Sequence, residues 1–185
     1  LDVHDNTGPG LTTAFDVGSL TVTDSTFEDN DGRGLLLRDI GTGNTDLDGV
    51  TANGNGIHGI ELKSDAAAAA LVDITATGND EHGVVVGSNT TVVRGAVASQ
   101  NGGHGFLLPA LDGSTDGREL RPGSSPGLAR LEADSNDQSG ARIAGDGVTV
   151  VGLETGSNAV GIDLTGASDV SVTGTDAGSA TPTAI

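Results

Sequence analysis

The chain has 185 residues, of which 26 are acidic and 8 basic, for a formal charge of −18, and 31 are glycine. It has no Cys, Met, Trp or Tyr, which excludes a disulfide scaffold and a thiolate metal site. A surface this negative repels phosphate backbones, so no nucleic-acid partner is expected, and the longest apolar run, Ala66 to Val72, is far too short for membrane insertion.

The first unit opens with Leu1 and Val3 and reaches Asn6, which is followed four residues later by Gly10 and the apolar Leu11. The same arrangement returns at Asn30-Gly34-Leu35, Asn55-Gly59-Ile60, Asn79-Gly83-Val84, Asn101-Gly105-Phe106 and Asn136-Gly140-Ala141. A variant one residue shorter stands at Asn158-Gly161-Ile162, and the Asn-to-Asn steps are 24, 25, 24, 22, 35 and 22 residues. Eight residues before each Asn from Asn30 onward stand Val22, Leu47, Leu71, Val93, Leu128 and Val150. Three residues before are mostly small side chains, and three after each Gly stand Thr13, Leu37, Leu62, Val86, Leu108, Ile143 and Leu164. Columns that stay aligned across a 35-residue step identify a true repeat.

Within each unit the apolar residues alternate, as in Leu35-Leu37 and Ile60-Leu62, which is strand periodicity, and no helix-length apolar stripe occurs. Short strands repeating at this period predict an all-β parallel solenoid of about seven coils of 22–25 residues, a single domain over 1–185. Coils would stack about 4.8 Å apart, with Leu62, Val86 and Leu108 inward and Val85 outward. The repeat Gly is expected to supply a left-handed or otherwise strained backbone position. Asn30, Asn55, Asn79, Asn101 and Asn136 are expected to stack as a structural amide ladder along one corner.

The units resemble the degenerate coils of the pectin-lyase-like and NosD-like superfamily, in which an Asn-x-x-x-Gly-Ile-x-Val type of unit recurs much as Asn55 to Leu62 does here. The resemblance covers nearly the whole chain and implies a right-handed parallel β-helix. It specifies function poorly, because that superfamily includes lyases, hydrolases, epimerases, tailspikes, adhesins and non-catalytic modules. Polygalacturonase-like hydrolases of the superfamily carry Asn-Thr-Asp, Asp-Asp, Gly-His-Gly and Arg-Ile-Lys motifs in order. Asn44-Thr45-Asp46, Gly103-His104-Gly105 and Arg142-Ile143 follow that order here, but the Asp-Asp pair is missing, so no catalytic residue is assigned.

Three candidate sites stand out from the repeat. The long step holds an insertion at about 109–126, a loop in which Asp112, Asp116, Arg118 and Arg121 are candidate ligand-binding residues. His58, His82 and His104 each precede the repeat Gly, with Arg33 one coil earlier and Ser139 one coil later. Stacking would bring the imidazoles about 5 Å apart, where open nitrogens could hold Zn or Cu. Asn89-Thr90-Thr91 is a glycosylation sequon, with Asn89 the acceptor. No cofactor is expected beyond cations held loosely at Asp-rich turns.

The excess of 20 Asp over 6 Glu, with seven Arg and one Lys, resembles the surfaces of proteins from extreme halophiles. The functional expectation is a structural or adhesive module of an extracellular or cell-surface protein, binding glycans or forming filaments. The alternative is a polysaccharide lyase or glycoside hydrolase. Because a solenoid cut between coils bares strand edges, the ends are expected to be covered by more of the same polypeptide or by an end-to-end homo-oligomer.

Overall fold

The computed structural model describes residues 1–14, 17–40, 43–63, 69–88, 91–110, 118–121 and 131–176. Among these the chain is all β, and no helix is long and apolar enough to cross a membrane. One sheet contains β1 (Asp2–His4), β3 (Leu20–Glu28), β5 (Thr45–Asn53), β7 (Ala69–Thr75), β9 (Val92–Val97), β11 (Glu119–Arg121), β12 (Leu131–Asp134), β14 (Thr149–Val151), β15 (Leu153–Gly156) and β17 (Ser171–Thr173). The other contains β2 (Leu11–Thr12), β4 (Leu35–Leu37), β6 (Ile60–Leu62), β8 (Val84–Val86), β10 (Phe106–Leu108), β13 (Ser139–Ile143) and β16 (Val160–Asp163). Each strand pairs in parallel with its equivalent one coil away, as Leu47 with Leu71 and Ile60 with Val84. This is a right-handed parallel β-helix. The seven ladder asparagines from Asn6 to Asn158 enclose six complete turns, close to the seven coils expected.

Alternation fills the interior with one apolar column per inward position. Phe27 packs beside Ala52, and Leu35, Ile60, Val84 and Phe106 follow one another up the second sheet, all fully buried. Burial of this kind contributes about 25 cal/mol per Å² of apolar surface and is the main term holding the coils together.

Three expectations change. Leu120, not Leu128, stands between Val93 and Val150, because β11 pairs with both β9 and β14; Leu128 lies outside the described residues. The stretch 109–126 is therefore not one continuous loop, since Glu119–Arg121 returns to the sheet. Second, the left-handed residue is not the repeat Gly but the residue just before each ladder Asn, as at Asp29, Gly54, Gly78, Gln100, Ser135 and Ser157. The repeat Gly is needed for space: a Cβ on Gly59 would stand 2.8 Å from Gly83 O and 2.9 Å from Asn79 Nδ2. Third, Val85 is not open to solvent but only 7% exposed, and lies with Pro109 and Ala110 along one groove.

The amide ladder runs the length of the helix. Asn55 Nδ2 donates to Asn79 Oδ1 and Asn79 Nδ2 to Asn101 Oδ1, each at 3.0 Å. The second amide hydrogen reaches back across the coil, from Asn79 Nδ2 to Ala52 O and from Asn101 Nδ2 to Ala76 O. The chain of amides extends to Asn6 at one end and Asn158 at the other.

Candidate surface on the second sheet

The second sheet turns its outer face away from the core and presents columns of equivalent residues. Just before the repeat Gly stand Arg33, His58, His82, His104 and Ser139, and at mid-strand stand Leu36, Glu61, Val85, Leu107 and Arg142. The column one step beyond the strands includes Lys63.

The imidazoles form a stack. Ring centroids are 4.9 Å apart between His58 and His82 and 5.0 Å between His82 and His104, with planes 15° and 18° from parallel. The next coil's backbone fixes each ring: His82 N donates to His58 Nδ1 at 3.3 Å, His104 N to His82 Nδ1 at 2.9 Å, and Ser139 N to His104 Nδ1 at 3.1 Å. A backbone amide can only donate, so each Nδ1 is an acceptor and each neutral ring carries its proton on Nε2. Glu81 Oε2 also stands 3.3 Å from His58 Nδ1, where as an acceptor it would favour a proton on that nitrogen, but it is half-exposed and shared with water, whereas the backbone amide is fixed.

This arrangement does not suit the metal expected at His58, His82 and His104. Nδ1 is already engaged, and Nε2 holds the proton a metal would have to replace. Two nitrogens on one Zn, each about 2.1 Å away, are at most about 4.2 Å apart, less than the spacing of these parallel rings. Among the described residues no group of three or more His, Cys, Asp or Glu side chains is arranged to hold a metal ion.

Glu61, which the alternation assigns only to an outward slot, is 5% exposed and sits between opposite charges. Both Arg33 Nε and Lys63 Nζ contact its carboxylate, and His58 Nε2 is 4.0 Å away. Burial alone would push the Glu61 carboxyl up, but hydrogen bonds from Lys63 and Arg33 prevail and hold it below the usual range. Beside this cluster lies a shallow groove of about 240 Å³, lined by Glu61, Lys63, Val85, Gly87, Pro109 and Ala110. Farther along the face, Arg142 Nη1 is 3.5 Å from Asp163 Oδ2. Asp163 is held low mainly by hydrogen bonding to Thr165, whose backbone N–H donates at 2.9 Å.

Of the residues expected in the insertion, Arg118 is in the interior: it is 1% exposed, with Nη1 donating to Val86 O at 2.6 Å and Nη2 to Pro109 O at 2.9 Å. It ties the start of the excursion to the coil and is not a surface ligand. Arg121 ends β11, whereas Asp112, Asp116 and Asn89 lie outside the described residues. Arg33 and Glu61, 28 residues apart, are the pair the sequence did not reveal.

The imidazole stack makes stability depend on pH. Burial lowers the pKa of all three rings, to about 4 for His58 and His104, with Glu61 partly opposing the effect at His58. In the unfolded chain these histidines take up protons near pH 6.5; in the folded chain His58 and His104 do so only near pH 4, and the His82 value is also lowered. Between those values the unfolded state binds more protons, so stability falls as pH drops from about 6.5 towards 4. After allowing for partial solvent access, His58 and His104 should each account for about 1–2 kcal/mol. Urea midpoints at successive pH values check this, and His82→Ala should flatten the slope.

No protein-family model matches the chain, and no curated protein matches it by sequence. Solved structures match by fold. The A-module of a mannuronan C-5 epimerase from Azotobacter vinelandii superposes with a TM-score of 0.64 at 16% identity, over 94% of this chain and 57% of that one. A pectate lyase superposes at 0.56 and 17% identity, over 96% of this chain and 52% of that one. A periplasmic alginate epimerase superposes at 0.51 and 12% identity, over 85% and 50% respectively. The chain thus spans little more than half the length of these enzymes, and at such identities what it shares with them is the parallel β-helix fold.

Proposed function

We propose that the chain is a structural or adhesive β-helix module of an extracellular or cell-surface protein, holding a polysaccharide along the outer face of its second sheet. The observation that carries this reading is the composition of that face. In a chain of net charge −18, that face carries Arg33, Lys63, Arg142 and three histidines, and Lys63 lines a groove on it. Stacked coils keep these groups at fixed spacing, which suits an extended ligand. The fold neighbours are enzymes named for action on polysaccharides, in keeping with such a ligand.

Binding without turnover fits the imidazoles and Glu61. A general base needs a free lone pair near the operating pH. The imidazoles direct their lone pairs at backbone amides, and Glu61 is committed to two cations. Isothermal titration against a panel of hexasaccharides, with product analysis of the same mixtures, tests the reading. Uptake with no change in the sugar is expected; cleavage or epimerisation would establish the enzyme instead, and no uptake by any member would reject the face as a binding site.

The acidic surface supports an origin in concentrated salt. Self-repulsion among 26 carboxylates should be relieved as salt screens them, so the melting temperature should climb between dilute buffer and molar KCl. A flat or falling curve would remove the halophilic reading.

A further inference from the structure

We infer that His58, His82 and His104 are a row of hydrogen-bond donors that reads an uncharged polysaccharide one sugar per coil through their Nε2–H groups. The inference rests on the polysaccharide-binding reading and specifies which ligand that face takes and which atoms recognise it.

The first support is the tautomer. Backbone amides of the following coil occupy all three Nδ1 atoms, so the three neutral rings share one protonation pattern with N–H at Nε2. The second is that these donors are unfilled. No Nε2 has a hydrogen-bond partner among the described residues, and none is among the sealed-off polar atoms, so each keeps an edge at the surface although His58 and His104 as whole residues are only 8% and 6% exposed. The carboxylate that approaches His58 on its Nε2 side, Glu61 Oε2, is 4.0 Å from Nε2, beyond hydrogen-bond reach, and is held by Arg33 and Lys63.

A purely structural ladder would need only the Nδ1 side of each ring. What remains is a row of identical donors on rings whose centroids are 4.9 and 5.0 Å apart, on a stiff scaffold. A ligand that meets every donor must carry an oxygen acceptor at the same interval along its length. One pyranose in an extended chain is close to that interval, and its ring and hydroxyl oxygens are acceptors.

Charge selects among polysaccharides. On this face Arg33, Lys63 and Arg142 are matched by Glu61, Glu81 and Asp163, and the chain as a whole is strongly negative. Arg33 and Lys63 already serve Glu61, and Arg142 lies beside Asp163, so little cationic capacity is left for a second carboxylate. Half-exposed Glu81, beside His58, would repel a polyuronate passing along the stack. A hydroxyl-bearing, uncharged chain meets no such penalty.

The test uses the protein labelled with ¹⁵N-histidine and four probes: cellohexaose, laminarihexaose, mannohexaose and hexagalacturonate. Before any sugar is added, imidazole ¹⁵N shifts at pH 7.5 should report three rings protonated on Nε2 and accepting at Nδ1. At least one neutral hexasaccharide should then shift the three Nε2 signals together and leave Nδ1 in place, whereas hexagalacturonate should bind at least tenfold more weakly in dilute buffer. Removing one donor with His82→Ala should weaken the neutral sugar by about five- to tenfold. Imidazole signals that stay still while a sugar binds elsewhere, an Nδ1–H tautomer, or tighter binding of the uronate would overturn the inference and leave the polysaccharide-binding reading standing. No uptake of any probe would overturn both.

Discussion

Replacing Val84 with Asp is expected to leave the chain unfolded. Val84 is completely buried between Ile60 and Phe106 in successive coils, with no polar partner for a carboxylate. An unpaired buried charge costs at least about 4 kcal/mol, a large share of the 5–15 kcal/mol that holds a typical domain. Val84 is a cleaner test than Val86, because Arg118 lies against the Val86 carbonyl and could pair with a new carboxylate there. Val85→Asp, on the opposite face of β8, should be intermediate and not silent, about 1–3 kcal/mol, since that side chain is only 7% exposed. Circular dichroism and urea titration of the two variants separate the cases. Equal losses at both positions would refute the assignment of inner and outer faces.

Asn79→Ala should cost about 3–5 kcal/mol, because one side chain serves four partners in a sealed corner. Asn79 Oδ1 accepts from both the backbone N and the Nδ2 of Asn55, and its amide donates to Asn101 Oδ1 and Ala52 O. Truncation leaves the Asn55 N–H and the Ala52 carbonyl with no replacement, and water cannot enter without opening the stack. Asn6→Ala removes a ladder amide at the exposed end, where water can take over, and should cost about 1 kcal/mol or less. If the two substitutions cost the same, the ladder would be a set of independent contacts and not a buried corner. Asn79→Asp should be at least as damaging as Asn79→Ala, since a carboxylate has no hydrogen to offer Ala52 O or Asn101 Oδ1.

These variants also separate what each coil contributes from what stacking contributes. A solenoid is stabilised mainly by contacts between neighbouring coils, so a fault at Asn79 or Val84 interrupts the stack in its middle. The same change near Asn6 removes one end. Hydrogen exchange on the Asn79 variant should therefore show lost protection spreading through β6, β8 and β10 before it reaches β2.

The interior was written in the sequence. Inward residues of a strand recur every second position and equivalent coils every 22 to 25, so Leu35, Ile60, Val84 and Phe106 align before any coordinates are known. The ladder was equally plain, because a buried corner tolerates few side chains other than one that can both donate and accept along the stack. Where spacing broke down, so did legibility. Across the 35-residue step, counting back from Asn136 selected Leu128, but the chain returns to the sheet at Leu120 because the strand must pair with both Val93 and Val150. On the outer surface the count placed the histidine column and its spacing of about 5 Å, but none of its contacts. Arg33 meets Glu61 from 28 residues away, Pro109 and Ala110 fold beside Val85, and the amides of the next coil turn the histidines from candidate metal ligands into fixed donors. Inward residues answer to a periodic backbone and can be read from the periodicity, whereas outward ones answer to whichever long side chain or turn can reach them, and that is decided only when the coils are stacked.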